Sequence, residues 1–186
     1  GQCPDMGTLC ITGASGGVGS LAVDIFSGAG YQVTAITGKL EEFDWLHSLG
    51  AAQCISRHDL HWPESPMASA QFAGALDTVG GDMLSGLTRV IKPWGTIAAC
   101  GMAGGIGVKT TVMPFIIRGI GLVGVNSAGC GYELRQTLWE RLANEWRPRH
   151  LDKIMQASIT LADLPETFAK LLAGEGRGRT PVQIAT

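Results

Sequence analysis

A glycine-rich run near the start of the chain carries the residues best suited to chemistry. Residues 12–19 read Thr-Gly-Ala-Ser-Gly-Gly-Val-Gly, between a short β-branched segment and an amphipathic stretch. Gly13 permits a tight turn, Gly16 lets the backbone approach a pyrophosphate, and Gly19 removes a side chain where helix meets sheet. The free amides of the first helical turn then face an anion. Glycine-rich turns also occur where nothing binds, but this context favours a dinucleotide site.

The end of the second predicted strand indicates which dinucleotide is bound. An NAD site usually places a carboxylate there, about 20 residues after the glycines, to hold the ribose hydroxyls. This chain has Thr37, Gly38 and Lys39 instead. A hydroxyl, an unhindered amide and a cation suit a 2′-phosphate, which a carboxylate would repel. Arg57, just after the third strand, is either a second phosphate-binding cation or a solvated surface charge. These residues favour NADPH.

The elements that must position these residues alternate along the chain. Strand-like apolar runs occupy residues 8–12, 31–36, 52–55, 73–79, 96–100, 121–125 and 180–184. Helical periodicity occupies residues 18–26, 41–49, 83–91, 132–146 and 164–172. This alternation predicts an α/β fold, a doubly wound parallel sheet (Rossmann fold) with helices on both faces. Ligands in such sheets bind beyond the carboxyl ends of the strands.

Length and composition narrow the class of protein. The chain has 186 residues, a formal net charge of -2 and 45% hydrophobic residues, which suits one compact domain. The absence of a basic stripe argues against nucleic acid as a partner. The apolar run at residues 113–125 contains Arg118 and is shorter than the ~20 residues that span a bilayer, so we expect no membrane segment.

The number and spacing of the cysteines indicate the redox environment of the protein. There are 5, widely spaced and without a C-x-x-C pair, which suits reduced thiols and a cytoplasmic protein without a zinc site. Cys100 lies in an apolar strand, and we expect it to be a small buried side chain rather than a catalytic thiol.

A family resemblance rests on seven runs: ITGASGGVGS, ITGK, LGA, DTVGG, ACGMAGG, TTVMPFIIRGIGLVGVNS and LLAGEGRGRT. Together they resemble the zinc-free quinone-oxidoreductase branch of the medium-chain dehydrogenases, and within it the YhdH or acryloyl-CoA reductase (AcuI) subgroup. The resemblance covers nearly the whole chain. It implies NADPH-dependent hydride transfer to an activated C=C bond, in acryloyl-CoA or in a quinone or enone type of substrate.

The resemblance also implies roles for individual residues. The residues that it implies bind the pyrophosphate are Ser15, Gly16, Gly17 and Val18. Those for the 2′-phosphoadenosine are Thr37, Gly38, Lys39 and Arg57. Those for the ribose and nicotinamide side are Met102, Ile116 and Ser127. Arg177 and Arg179 are candidates for the cofactor mouth and equally for surface charges.

The same resemblance implies a particular domain organisation. Residues 1–153 form the NADP-binding domain, and residues 154–186 supply a helix and strand that pack toward a preceding GroES-like catalytic domain. The chain opens at Gly1 without a Met, so we expect a cofactor-binding fragment that is inactive alone. No catalytic acid is identified. Relatives pair the sixth strand across a two-fold axis, which implies a homodimer.

Two alternatives remain open at the level of sequence. The glycine pattern of the short-chain dehydrogenases also matches residues 12–19, but their chemistry needs a Tyr followed four residues later by a Lys. Here Tyr31 is followed at that spacing by Ala35, and Tyr132 by Gln136. The other alternative is a binding module that senses NADPH without turnover.

Overall fold

A computed structural model describes residues 2–184 and contains a six-stranded parallel sheet in the order β3-β2-β1-β4-β5-β6. The strands of this sheet are β1 Leu9–Thr12, β2 Val33–Thr37, β3 Gln53–Ser56, β4 Phe72–Asp77, β5 Ile91–Ala99 and β6 Gly121–Gly124. A separate two-stranded parallel sheet pairs β7 Ile159–Thr160 with β8 Val182–Gln183. The strand order reverses between β1 and β4, which creates the switch point where doubly wound sheets bind ligands.

Helices follow most of the strands, and the segment between β3 and β4 is irregular. The helices are α1 Gly17–Gly28, α2 Phe43–Ser48, α3 Gly81–Val90, α4 Met113–Arg118, α5 Tyr132–Ala143, α6 Leu151–Ile154 and α7 Leu164–Leu172. Single 3-10 turns occupy Pro4–Met6, Leu40–Glu42 and Leu161–Asp163. None of the helices within residues 2–184 combines the length and apolar character that a bilayer crossing requires.

Two apolar clusters cover the opposite faces of the sheet. Successive residues of β1 point to different sides: Cys10 packs in the cluster that contains Leu87 of α3, and Ile11 packs in the cluster that contains Val23 of α1. β1 and β2 are buried at every position, as expected for strands covered by helices on both faces. The prediction of a doubly wound parallel sheet is confirmed.

One difference from the predicted elements lies around β5. This strand begins at Ile91 directly after α3, earlier than the predicted residue 96, and it contains Pro93 and Trp94. Pro93 has no N–H to donate, and such residues are found at bulges of a sheet. The β4–β5 pairing shifts register between Phe72 and Gly74, and Trp94 has a positive φ of 64°. The irregular strand also changes the expected position of Cys100, which lies beyond its end and is exposed.

The C-terminal part of the chain packs against the rest of the molecule. Ile154 of α6 is fully buried in the same cluster as Val23. The Asp24 carboxylate accepts hydrogen bonds from the backbone N and Nδ1 of His150, both at 2.9 Å. The domain boundary drawn after residue 153 falls within α6, and the division into two domains stays a prediction.

Candidate nucleotide-binding site

A crevice lies beyond the carboxyl ends of β1, β2, β3 and β4, at the switch point of the sheet. Its volume is about 400 Å³. Its lining comprises Gly13, Ser15, Gly16, Ile36, Thr37, Gly38, Lys39, Arg57, Thr78, Val79, Met83, Ala103, Gly104, Ala173, Gly174 and Gly176. None of these lining residues is acidic, so the crevice suits an anionic ligand.

The glycine turn presents its backbone to this crevice. Gly13 has a φ of +59°, and its carbonyl accepts the Gly16 amide at 2.9 Å. The first hydrogen bond of α1 is donated by Ser20 to the Gly16 carbonyl at 3.0 Å. The amides of residues 17–19 therefore have no hydrogen-bond partner within residues 2–184. Free amides at the start of a twelve-residue helix are the donor set that a pyrophosphate requires.

The end of β2 gathers the side chains that were predicted to bind a 2′-phosphate. The Ser15 and Thr37 hydroxyls are 2.8 Å apart, and the Lys39 amide donates to Thr37 Oγ1 at 3.2 Å. Arg57 lies flat against Gly38, where an added Cβ would be only 2.5 Å from Arg57 Nε. A hydroxyl pair and two cations thus share one edge of the crevice, and these residues fit a phosphate group.

Residues 173–179, which we call the C-terminal strap, close one side of the crevice. The Gly178 amide donates to the Ser15 carbonyl at 3.0 Å. Lys39 Nζ donates to the Gly176 carbonyl. Arg179 lies beside the glycine turn, since a Cβ on Gly17 would be 2.8 Å from Arg179 Nε. The strap therefore contacts both the glycine turn, at Ser15, and the end of β2, at Lys39.

Arg177 points in a different direction from Arg179. Its NH1 lies 3.2 Å from Glu42 Oε2, and its guanidinium carbon lies 5.0 Å from the centre of the Trp45 ring. Of the strap, only Arg177 and Arg179 were candidates from the sequence, and Glu42 was not recognised as part of the site. Arg177 and Arg179 are thus both near the crevice edge, but neither lines the cavity itself.

The residues expected on the nicotinamide side lie outside the cavity. Met102 and Ile116 are 69% and 75% exposed, and Ser127 is also exposed. Met102 follows β5 and its carbonyl accepts the Gly105 amide at 3.1 Å, next to the crevice wall. Ile116 belongs to α4, and Ser127 follows β6. The cofactor roles of these three residues stay predictions.

The last three residues of the glycine turn do not line the cavity. Val18 is half exposed and does not line the crevice. A Cβ on Gly19 would overlap the Gly13 carbonyl, so Gly19 allows α1 to approach the turn. Gly17 likewise lies outside the cavity, with its amide free.

A buried carboxylate organises the crevice floor. Asp77, at the end of β4, accepts hydrogen bonds from Thr12 Oγ1 at 2.6 Å and from the Gly80 amide at 2.8 Å. The Thr78 hydroxyl donates to the Thr12 carbonyl at 2.8 Å. These bonds join the ends of β1 and β4, so the switch point is held at a fixed width.

The described cysteines and potential metal ligands form no second functional site. Within residues 2–184, no group of three or more His, Cys, Asp or Glu side chains is arranged to hold a metal. Cys100 Sγ lies 3.5 Å from the Asp77 carbonyl oxygen. Partial desolvation of the thiol and the nearby Asp77 carboxylate raise the pKa of Cys100 above its ordinary value. A raised pKa keeps the thiol protonated and poorly nucleophilic at neutral pH.

Comparison with known proteins assigns the fold and the site to a family. The model of a family described as zinc-binding dehydrogenase matches residues 17–144. Acrylyl-CoA reductase AcuI of Ruegeria pomeroyi is 40% identical over 185 residues, which are 99% of this chain and 56% of that protein. The putative quinone oxidoreductase YhfP of Bacillus subtilis is 37% identical over the same shares of both chains.

Solved structures agree with this result. The yhdH oxidoreductase from Salmonella enterica, crystallised with NADP, superposes with a TM-score of 0.92 and 39% identity over 98% of this chain and 56% of that one. The Bacillus subtilis protein yhfP, crystallised with NAD, gives a TM-score of 0.94 and 37% identity over 99% of this chain and 56% of that one.

The chain spans about half the length of the curated relatives that it matches, with 56% coverage of each. The family match covers well over half of this chain, including α1 and the end of β2. The same match removes the short-chain dehydrogenases as the explanation of the glycine pattern. The chain belongs to the zinc-binding dehydrogenase family of the medium-chain superfamily, and it is similar over almost its whole length to the AcuI and YhfP members of that family.

Proposed function

We propose that this chain is the NADPH-binding portion of an oxidoreductase that reduces an activated C=C bond. The observation that carries the proposal is the crevice edge at β2, where two cations and two hydroxyls gather without an acidic lining residue. The neighbour crystallised with NADP is 39% identical to this chain. Another neighbour, 37% identical, was crystallised with NAD, so we infer that the phosphate-binding residues of this chain decide the choice of coenzyme.

Each part of the crevice has a role in this proposal. The free amides of residues 17–19, with Ser15 and Gly16, bind the pyrophosphate, and Arg179 adds a cation beside them. Thr37, Lys39 and Arg57 bind the 2′-phosphate. Met102, Ile116 and Ser127 border the ribose and nicotinamide. Bound NADPH supplies a hydride to the β-carbon of the double bond, and this chain positions it.

The substrate class follows from the named relatives. One is an acrylyl-CoA reductase and another a putative quinone oxidoreductase, so we propose an acyl-CoA or a quinone or enone as the substrate. This chain covers 56% of those proteins. We therefore propose that a GroES-like domain supplies most substrate contacts and the catalytic acid, that residues 154–186 pack toward it, and that this chain alone is inactive.

Three further properties belong to the same proposal. We infer that the enzyme works without zinc, as the resemblance to the quinone-oxidoreductase branch implies. The free cysteines suit a reducing, cytoplasmic environment. The outer edge of β6 has no neighbouring strand within residues 2–184, and we propose that a second copy pairs with it to form a homodimer.

Titration calorimetry of this chain with NADPH and NADH tests the proposal. We expect NADPH to bind at least about tenfold more tightly, because charged hydrogen bonds to a phosphate contribute ~1.5–3 kcal/mol each. Equal affinities would refute the phosphate-binding role of the β2 edge. An assay of the full-length protein with acryloyl-CoA and with simple quinones then tests the substrate class.

A further inference from the structure

We propose that Arg177 determines the preference for NADPH over NADH without touching the coenzyme, by holding the Glu42 carboxylate away from the phosphate-binding edge. This inference rests on the proposed NADPH-binding function. Arg177 is thus a positioning residue that acts through Glu42.

Glu42 is the carboxylate that could oppose a 2′-phosphate. The Leu40–Glu42 turn follows Lys39 directly, and the Glu42 amide donates to the Lys39 carbonyl at 3.2 Å. The Glu42 side chain is 14% exposed, so little water screens its charge. The ribose-binding carboxylate of an NAD site stands at the end of the second strand, and Glu42 lies in the turn that begins shortly after this position. A free Glu42 would repel a phosphate and compete with it for the Lys39 ammonium.

Arg177, which is 135 residues away in sequence, binds the Glu42 carboxylate. Its NH1 is 3.2 Å from Glu42 Oε2, and its guanidinium stacks 5.0 Å from the Trp45 ring centre. Trp45 is itself fixed, because its Nε1 donates to the Lys153 carbonyl at 3.1 Å. A planar guanidinium can stack on a ring and bond to a carboxylate at once, which a lysine ammonium cannot do in the same way.

The backbone on either side of Arg177 is anchored to the crevice. The preceding residue, Gly176, accepts a hydrogen bond from Lys39 Nζ, and the following residue, Gly178, donates to Ser15. The strap therefore places the Arg177 guanidinium beside Glu42 while its own backbone forms part of the crevice. No other cation lies within 4 Å of the Glu42 carboxylate in the described part of the chain.

The charge balance of the crevice edge depends on this pair. With Arg177 present, the negative charge of Glu42 is balanced by an ion pair, and Lys39 and Arg57 remain available to bind the phosphate. Without Arg177, this largely buried carboxylate would have no cation partner and, in this proposal, would oppose the phosphate dianion. NADH has no 2′-phosphate, so its binding is much less sensitive to the charge of Glu42.

The test compares three variants of this chain by titration calorimetry: Arg177→Gln, Glu42→Gln and the double variant. We expect Arg177→Gln to weaken NADPH binding on the order of tenfold, as expected for an uncompensated charge within a Debye length of a phosphate. NADH binding should weaken by less than about threefold, because no phosphate is present. In the double variant, NADPH affinity should return to within about threefold of the wild-type value, because the repelling charge is gone.

Arg141→Gln is the matched control. Arg141 also pairs with a carboxylate, Glu145 at 3.4 Å, and stacks on a Trp, Trp146 at 4.7 Å, but it lies on α5 away from the crevice. This variant should leave both affinities unchanged.

Two results would overturn the inference while leaving the proposed function intact. One is an equal loss of NADPH and NADH affinity in Arg177→Gln, which would assign Arg177 a purely structural role. The other is a double variant that binds NADPH as weakly as Arg177→Gln does. A wild-type chain that does not prefer NADPH over NADH would instead contradict the proposed function, and the inference with it.

Discussion

Lys39 has two roles: we propose that it binds the 2′-phosphate, and it holds the strap against the crevice. Its ammonium donates to the Gly176 carbonyl of the strap and lines the crevice beside Thr37. Because an ammonium has three N–H donors, Lys39 can keep the strap contact and still bind a phosphate oxygen. Substitution of this residue should therefore affect NADPH more than NADH.

We expect Lys39→Ala to weaken NADPH binding by ~1.5–3 kcal/mol, the usual contribution of a hydrogen bond to a charged group. The loss of NADH affinity should be clearly smaller. Titration calorimetry measures both, and Lys170→Ala is the control, because Lys170 pairs with Glu166 on the exposed surface of α7. An equal loss for both coenzymes would contradict the assignment.

Gly13 shows how strictly the backbone specifies the glycine turn. Its φ of +59° suits glycine, and a Cβ at this position would overlap the Thr78 hydroxyl. We expect Gly13→Ala to lower the free energy of unfolding by about 2–4 kcal/mol, from backbone strain and overpacking together. Urea denaturation measures this change.

The matched control for this variant is Gly107→Ala. A Cβ at Gly107 meets no atom within 4 Å, so its effect on stability should stay within about 0.5 kcal/mol. An equal loss of stability in both variants would show that the positive φ and close packing of Gly13 do not require glycine.

Residue types at strand ends predicted a large part of the site. Thr37, Lys39 and Arg57 do meet at one edge of the crevice, because parallel strands bring their carboxyl ends together. Glu42 lies beyond the end of β2, so the strand-end pattern does not include it. Its partner, Arg177, is 135 residues away in sequence, and local patterns carry no information about such contacts.

At the scale of elements, the turn before α7 makes a specific prediction about pH. The Asp163 carboxylate accepts hydrogen bonds from the Thr160 amide at 2.8 Å and from its hydroxyl at 2.7 Å. These bonds hold the pKa of Asp163 below its ordinary value. The stabilisation they give is present above the unfolded-state pKa and is lost as the pH falls through the lowered pKa.

We expect Thr160→Val to raise the pKa of Asp163 while leaving it below the ordinary value, since the stronger backbone bond remains. Carboxyl NMR titration measures the change. Thr167→Val is the control, because the Thr167 hydroxyl bonds to the backbone carbonyl of Asp163 and not to its carboxylate. An unchanged Asp163 pKa in Thr160→Val would show that the hydroxyl does not contribute.

The predictability of the elements follows the strength of their periodic patterns. β1 and α1 were predicted closely, at residues 8–12 and 18–26. α4 was missed, because it lies in a nearly continuous apolar run whose periodicity does not distinguish helix from strand.

α5 shows what an amphipathic pattern leaves undecided. The apolar stripe that includes Leu134 and Leu138 correctly predicted a helix over much of residues 132–146. No residue of this helix is buried within the described part of the chain. A stripe indicates that a helix can cover an apolar surface, but it does not say which surface is covered.

At the scale of the whole molecule, β6 makes the proposed dimer testable. Val123 is 52% exposed on this strand, and Leu122 beside it is also exposed. We expect this chain to elute as a dimer in size-exclusion chromatography with light scattering. Val123→Lys should shift it to the monomer, because a charge on an edge strand opposes pairing with another chain.

Leu172→Lys is the control for this variant. Leu172 is equally apolar and highly exposed, but it lies on α7 rather than at the sheet edge, so this variant should remain dimeric. A wild-type chain that is monomeric at micromolar concentration would reject pairing through β6.

The position of the strap in the chain has a consequence for biosynthesis. Lys39 and Gly176 are 137 residues apart, so the last wall of the crevice emerges from the ribosome long after the first. A nascent chain can form β1, α1 and β2 early, since domains acquire structure from the N-terminal end during synthesis. The capacity to retain a coenzyme should therefore arise only after the strap has been synthesised, and nascent chains without the strap would not withdraw NADPH from the cellular pool.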